Sequence, residues 1–144
     1  MLPSVQDIRF QCLPRFARDG GELVAIEGRT EHAPFSIARV FSVRAPKDAV
    51  RGHHAHKHCS QLLVCPAGKI EVVCDDGRDS SRFVLNRGDQ SLLIPPGIWA
   101  TETFLTQDAV LIVLCDQAYD ETDYIRDQSA FRAWRELTAK ENKS

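Results

Sequence analysis

No stretch of this chain is apolar for long enough to cross a bilayer, and its start, MLPSVQDIRF, lacks the basic, apolar and small-residue regions of a secretory leader. Both absences argue against a membrane partner and lead to the expectation of a cytoplasmic protein. Positive charge is not in excess either. A formal net charge of -2 and a pI near 6.2 give no global pull toward nucleic acid, so any anionic ligand has to be held by a local cluster. The cysteines offer no Cys-x-x-Cys pair: Cys12, Cys59, Cys65, Cys74 and Cys115 are odd in number and scattered. That excludes a disulfide framework and a zinc knuckle as readings, and leaves reduced, mostly small core residues. Repeats, low-complexity tracts and linkers are missing as well. With 144 residues, 43% of them hydrophobic, a single domain over residues 1–144 around one core is expected.

What is present is a series of short runs rich in Val, Ile, Leu and Phe, separated by turn signals, which predicts an all-β sandwich or barrel. The candidate strands are LVAIE (23–27), FSIARVFSV (35–43), the histidine run at 53–58, SQLLVC (60–65), KIEVVC (69–74), SRFVL (81–85), SLLI (91–94) and AVLIVLC (109–115). Gly- and Pro-bearing turns separate them, among them PAG (66–68), DDG (75–77), NRGD (86–89) and PPG (95–97). After Asp116 the pattern changes. The segment SAFRAWRELTAK (129–140) sets Phe131, Trp134 and Leu137 or Thr138 on one stripe, with Asp127 or Ser129 as N-cap, which predicts a short C-terminal helix over about 128–140.

Four of the five histidines fall within six residues, in Arg51-Gly52-His53-His54-Ala55-His56-Lys57-His58. On a regular strand His54, His56 and His58 share one face and His53 points to the other. Imidazoles converging on one surface can bind a metal, move protons near neutral pH or recognise an anion.

The frame around the cluster narrows this. His54, His56, Gln61 and Gly68 follow the spacing of the first cupin motif, and GDQSLLIPPGIWA (88–100) resembles the second. In that motif pair, Gln61 stands where a metal-binding carboxylate is usual and Ala100 where a third histidine is usual. Neither side chain replaces the lost ligand, so a metal site here is short of donors. His58 lies about 6.6 Å further along a regular strand and His53 points away, so neither readily makes up the deficit.

The match extends further. The strings RGHHAHK (51–57), PFSIARV (34–40), LVAIE (23–27) and YDETDYIR (119–126) closely resemble the sugar-nucleotide 3,4-ketoisomerases, the WxcM-like or dTDP-4-keto-6-deoxyglucose isomerases of the cupin superfamily, from about Gly20 to Phe131. The resemblance implies an RmlC-like jelly-roll barrel and a homodimer with exchanged N-terminal strands. It also implies a reaction without metal or other cofactor, in which the keto group of a dTDP-linked 4-keto-6-deoxy sugar moves from C4 to C3. His54 and His56 are carried over as the acid/base pair, with His56 as base at C3. Arg39 and Arg51 are candidates to clamp the diphosphate, because a guanidinium fork matches phosphate oxygens. Gln61, Ser42 and Trp99 complete the expected substrate-binding set, with Phe41 as a further lining residue. The string from Tyr119 to Tyr124 either covers the site or caps the barrel end.

Three positions depart from the family pattern. Phe41 and Ser42 occupy a pair where a tyrosine is usual, Ala100 stands where histidine is frequent, and Gly20 stands where an arginine is usual. Besides an isomerase, two readings stay open at this point: a cupin that binds a nucleotide sugar without turnover, and a metal-dependent cupin that recruits His58.

Overall fold

The computed structural model describes residues 1–142. Its centre is two antiparallel five-stranded sheets facing each other. In the first, β1 (Arg9–Cys12), β9 (Gln90–Ile94), β6 (Gln61–Ala67), β11 (Val110–Cys115) and β4 (Arg39–Arg44) lie side by side in that order. The second runs β12 (Tyr124–Ile125), β5 (Val50–His56), β10 (Trp99–Phe104), β7 (Ile70–Asp75) and β8 (Ser80–Leu85). A separate hairpin, β2 (Arg15–Arg18) with β3 (Gly21–Val24), stands apart from both. This is the jelly roll of a cupin.

The core lies between the sheets, where Leu63, Cys65, Leu92, Ile94, Leu111, Val113 and Cys115 of one meet Ile70, Val72, Cys74, Ala100 and Phe104 of the other. The first sheet is apolar on its outer face too. Leu62, Val64, Leu93 and Leu114 point outward and are covered by Leu13, Ile26, Ala33, Phe35 and Ile37. Two apolar segments that read as strands, 23–27 and 35–43, are therefore only partly extended. Residues 25–38 instead cross the outside of the sheet as irregular chain, and pairing begins only at Arg39.

The outer face of the second sheet is closed by α1 (Gln128–Glu141), capped at its start by the Asp127 carboxylate accepting from Ala130 N at 2.8 Å. Phe131 is buried there against Trp99, Ala55 and Ile125. At the bend after β6, Gly68 has φ +75°, and a Cβ would sit 2.4 Å from Thr106 Oγ1 and 2.5 Å from the Ala109 Cα. Only glycine fits this left-handed, crowded corner.

Candidate active site

The histidine face is built by an irregularity in the pairing of β5 with β10. Ala100 pairs with His54, but Thr101 pairs with Gly52, leaving His53 as an extra residue. Gly52 and His53 both take positive φ, +89° and +57°, as such a bulge requires. Glycine is also demanded sterically, since a Cβ at position 52 would lie 2.2 Å from Glu102 Oε2. Because the bulge resets the alternation, Arg51 sits opposite Glu102 on the same inner face as His54. Regular alternation would have turned it outward.

His56 ends the strand and is held from behind. Its Nδ1 lies 3.1 Å from Oδ2 of the buried Asp123, whose Oδ1 accepts from His58 N at 2.7 Å and whose Oδ2 accepts from Cys59 N at 3.3 Å. A carboxylate with two fixed amide donors receives the imidazole proton at Nδ1, which leaves Nε2 as the free lone pair. That Nε2 is buried and has no hydrogen-bond partner. Tyr124 is the register partner of His56, so its ring lies on the same face, 4.3 Å from the His56 ring and 5.1 Å from that of His54. Its phenol oxygen accepts from Arg39 Nη1 at 3.2 Å. Around it, Arg126 lies over the Tyr124 ring and holds Glu121 through two hydrogen bonds of 2.7 and 2.9 Å.

His54 faces His56 edge-on, ring centroids 5.0 Å apart, closer than the roughly 6.6 Å spacing of a regular strand. Its Nδ1 donates to Gly52 O at 3.1 Å, which also leaves Nε2 unprotonated. Burial, reinforced by the neighbouring His56, lowers the His54 pKa from 6.5 to about 4. Burial lowers that of His56 as well, against the opposing pull of Asp123. The pocket itself is small and is lined by His54, His56, Cys59, Gln61, Ile94, Pro95, Ile98 and Ala100.

The WxcM-like C-terminal family model, FdtA, matches residues 6–136. The TDP-4-oxo-6-deoxy-alpha-D-glucose-3,4-oxoisomerase of Aneurinibacillus thermoaerophilus is 39% identical over 115 residues, 79% of this chain and 82% of the relative. Among solved structures, the sugar 3,4-ketoisomerase QdtA of Thermoanaerobacterium thermosaccharolyticum in complex with TDP superposes with a TM-score of 0.87 at 30% identity, covering 93% of this chain and 98% of that one. A histidine-to-asparagine variant of that enzyme, in complex with TDP-4-keto-6-deoxyglucose, gives 0.87 at 30%, over 92% and 96%. The chain belongs to the WxcM-like sugar 3,4-ketoisomerase family.

In this ketoisomerase-family chain the structure brings His54, His56 and Gln61 together in one pocket and sets Arg39 at its edge, beside Phe41, Tyr119 and Tyr124. Arg51 is exposed on the same inner face, paired with Glu102. Two expected members are elsewhere. Trp99 points to the outer face of β10, where it packs 5.7 Å from Phe131 under α1, so it is a core residue and not a wall of the pocket. Ser42 is exposed on the outer side of β4, since Phe41 and Val43 are the residues turned toward the core. The third histidine of the expected face, His58, also departs, because the strand ends at His56 and His58 is an exposed residue beyond it.

Three residues outside the expected site set matter here. Asp123 and Tyr124 lay within a string assigned as a whole to a loop or cap, with no sign of which side chains turn inward. Glu102 is buried, and burial raises its carboxyl to about 7 against the opposing charge of Arg51. Of possible metal donors, His56, Cys59 and Asp123 bring ligand atoms within 4.8 Å of one another. An ion there would compete with the amide and imidazole hydrogen bonds that both Asp123 oxygens already accept. Elsewhere in the pocket lining Gln61 and Ala100 supply no charge and no imidazole.

Proposed function

We propose that this protein isomerises a dTDP-4-keto-6-deoxyhexose to its 3-keto isomer through an enediolate, with His56 and His54 moving the protons and no metal. The observation that carries the reading is the buried, unpartnered Nε2 of His56, a residue that lines the pocket beside a second neutral imidazole. A 4-keto group acidifies the proton on C3. His56 Nε2 takes that proton, the positive charge formed on its ring being compensated by Asp123, and returns a proton to C4. The hydroxyl proton on O3 must also reach O4, and the free Nε2 of His54 is an acceptor suited to that relay. Tyr124, whose oxygen already accepts from Arg39, has its own proton available for the enediolate oxygen. Arg39 and Arg51 supply the cations for the diphosphate, and Gln61 an amide for a sugar hydroxyl.

Incubating the protein with dTDP-4-keto-6-deoxyglucose in deuterated water is expected to give deuterium incorporation and a new keto-sugar isomer by NMR. Absence of C3 exchange with every nucleotide-linked 4-keto sugar tried would refute the assignment. The product is the class of keto sugar that an aminotransferase converts to a 3-amino-3,6-dideoxy sugar for surface polysaccharide, and such nucleotide sugars are handled in the cytoplasm.

The base must be neutral to act, so protonation of either histidine stops the reaction as pH falls. Both pKa values are lowered by burial, which moves this loss below the ordinary 6.5 of histidine. The acid limb of kcat/KM against pH is therefore expected below pH 6.5. A limb at or above that value contradicts the assignment of these two imidazoles.

The protein also acts, on this reading, as a homodimer in which the N-terminal strands reach a second copy. Phe16 and Leu23 are register partners on the β2–β3 hairpin and are 62% and 58% exposed, an apolar pair left uncovered among the described residues. Replacing both with serine is expected to shift the sedimentation profile from dimer toward monomer while the melting curve stays cooperative. A monomeric unmodified protein at micromolar concentration overturns the dimer.

A further inference from the structure

We propose that Arg135, on the C-terminal helix and outside the pocket, is a positioning residue for the isomerisation, pinning the turn that holds the backbone of His56 and one side of the pocket. Its place on α1 follows from Phe131, which lies one turn earlier on the same face of the helix. Phe131 packs onto Trp99 and Ile125, and Arg135 reaches the chain between β9 and β10. That chain is Pro95-Pro96-Gly97-Ile98, and its Pro95 and Ile98 line the pocket.

Arg135 Nη1 donates to Gly97 O at 2.6 Å and to Pro3 O at 2.9 Å. The approach is close, since a Cβ on Gly97 would lie 3.4 Å from Arg135 Nη1 and 3.5 Å from Trp134 Cη2. On its other side, Gly97 donates its N–H to His56 O at 2.7 Å. Gly97 is thus held at both of its peptide groups, by α1 through the carbonyl and by the end of β5 through the amide. The bond to His56 lies beyond the Ala100–His54 pair, the last in the register of β10 with β5.

The N-terminal segment is drawn into the same knot. Val5 N donates to Asp76 Oδ2 at 2.9 Å, and Val5 and Ile8 bury their side chains in the core. Pro3 is therefore anchored, and the guanidinium bridges two fixed carbonyls. Its charge strengthens both bonds.

The docking of the helix does not depend on these bonds, because Phe131 is buried beneath it and Asp127 caps its start. Without the guanidinium the helix stays, and the turn is released at the Gly97 carbonyl. His56 keeps Asp123 behind its ring, but its backbone then rests on an amide that is no longer fixed, and Pro95 and Ile98 shift with that amide. Displacing a catalytic group slightly costs turnover before it costs binding. This catalytic consequence rests on the isomerase reading, whereas the clamp on Gly97 does not.

The test compares full-length Arg135→Met and Arg135→Lys with the unmodified protein. Methionine keeps an unbranched arm and loses every donor. With dTDP-4-keto-6-deoxyglucose its kcat is expected to fall roughly 10- to 100-fold, the scale of a small misplacement of a catalytic group, with KM within about threefold. Lysine presents several N–H donors from one ammonium and is expected to bring kcat back to within about fivefold of the original. Amide exchange followed by NMR is expected to be about tenfold faster at Gly97 in the methionine variant, and unchanged at Leu63 and Val113 in the central strands. If Arg135→Met melts non-cooperatively, the shorter, uncharged Arg135→Gln is read by the same measurements. A folded methionine variant with unchanged kcat overturns the proposal, as does a change confined to KM. So does a loss of kcat that lysine fails to recover, or one that leaves Gly97 exchange as it was. An unmodified protein that isomerises no nucleotide-linked 4-keto sugar refutes the reading of function and the catalytic role with it, while Gly97 exchange still decides whether Arg135 pins the turn.

Discussion

His56→Asn is expected to lower kcat by roughly 10^3-fold while leaving nucleotide-sugar affinity near that of the unmodified protein, because it removes the group that takes the C3 proton and little else. Asparagine can still direct an amide N–H toward Asp123, so the carboxylate keeps a donor where the imidazole stood and the fold is retained. Deuterium exchange at C3 should vanish with turnover, since both depend on the same nitrogen. His54→Asn separates the two steps. If His54 carries the proton between O3 and O4, its loss suppresses isomer formation while exchange at C3 continues. A His56→Asn protein that still exchanges the C3 proton at more than about a tenth of the original rate would move the base elsewhere. Loss of exchange in His54→Asn with its retention in His56→Asn would reverse the two assignments.

The contrast between His54 and His56 was only partly visible in the sequence. Alternation predicts that the two share a face, and they do, but the placing of Arg51 on that same face depends on the bulge at Gly52 and His53. A glycine followed by histidines does not declare a bulge, because the glycine is required by the carboxyl of Glu102 on the neighbouring strand. That neighbour, β10, was not among the expected strands. Its sequence, WATETF, reads as polar after the Pro95-Pro96-Gly97 turn, yet Glu102 and Phe104 both face the barrel interior.

Face assignment failed for Trp99 for a related reason. Where a helix covers the outer face of a sheet, both faces demand apolar side chains, and composition no longer tells inside from outside. The two sides of β10 are Trp99 under α1 and Ala100 in the pocket, a pattern that a sequence reading can equally assign the other way round. Ser42 needed one more fact, the position of Phe41 against the core. By contrast the cupin frame was legible. His54, His56, Gln61 and Gly68 keep a fixed spacing because two strand positions must reach one pocket and a left-handed turn must follow, and each constraint acts within the short run of chain from β5 through β6. Asp123 lies 67 residues from His56 in sequence, and no local pattern joins them.

Asp123→Asn is expected to cost nearly as much activity as loss of His56, although this residue is a positioning group that lies behind the imidazole. The carboxylate offers two acceptor oxygens to three N–H donors: His58 N on Oδ1 at 2.7 Å, with Cys59 N and His56 Nδ1 on Oδ2. Asparagine has one acceptor oxygen. The shorter bond to His58 N cannot reorient, so the oxygen stays there and the new NH2 group takes the place of Oδ2. It then donates to His56 Nδ1, the imidazole proton moves to Nε2, and the nitrogen that should abstract the C3 proton no longer has a free lone pair. A carboxylate-to-amide change behind a catalytic histidine lowers kcat by about 10^4 when it imposes the wrong tautomer, and a fall of that order is expected here. KM should change little. The Cys59 amide left without an acceptor should cost about 1–3 kcal/mol of stability, read from the denaturation midpoint. Asp123→Ala distinguishes orientation from mere structure. It removes the charge that raises the His56 pKa, so its residual activity should show an acid limb displaced to still lower pH. Near-normal kcat in a folded Asp123→Asn protein would show that His56 is oriented without it.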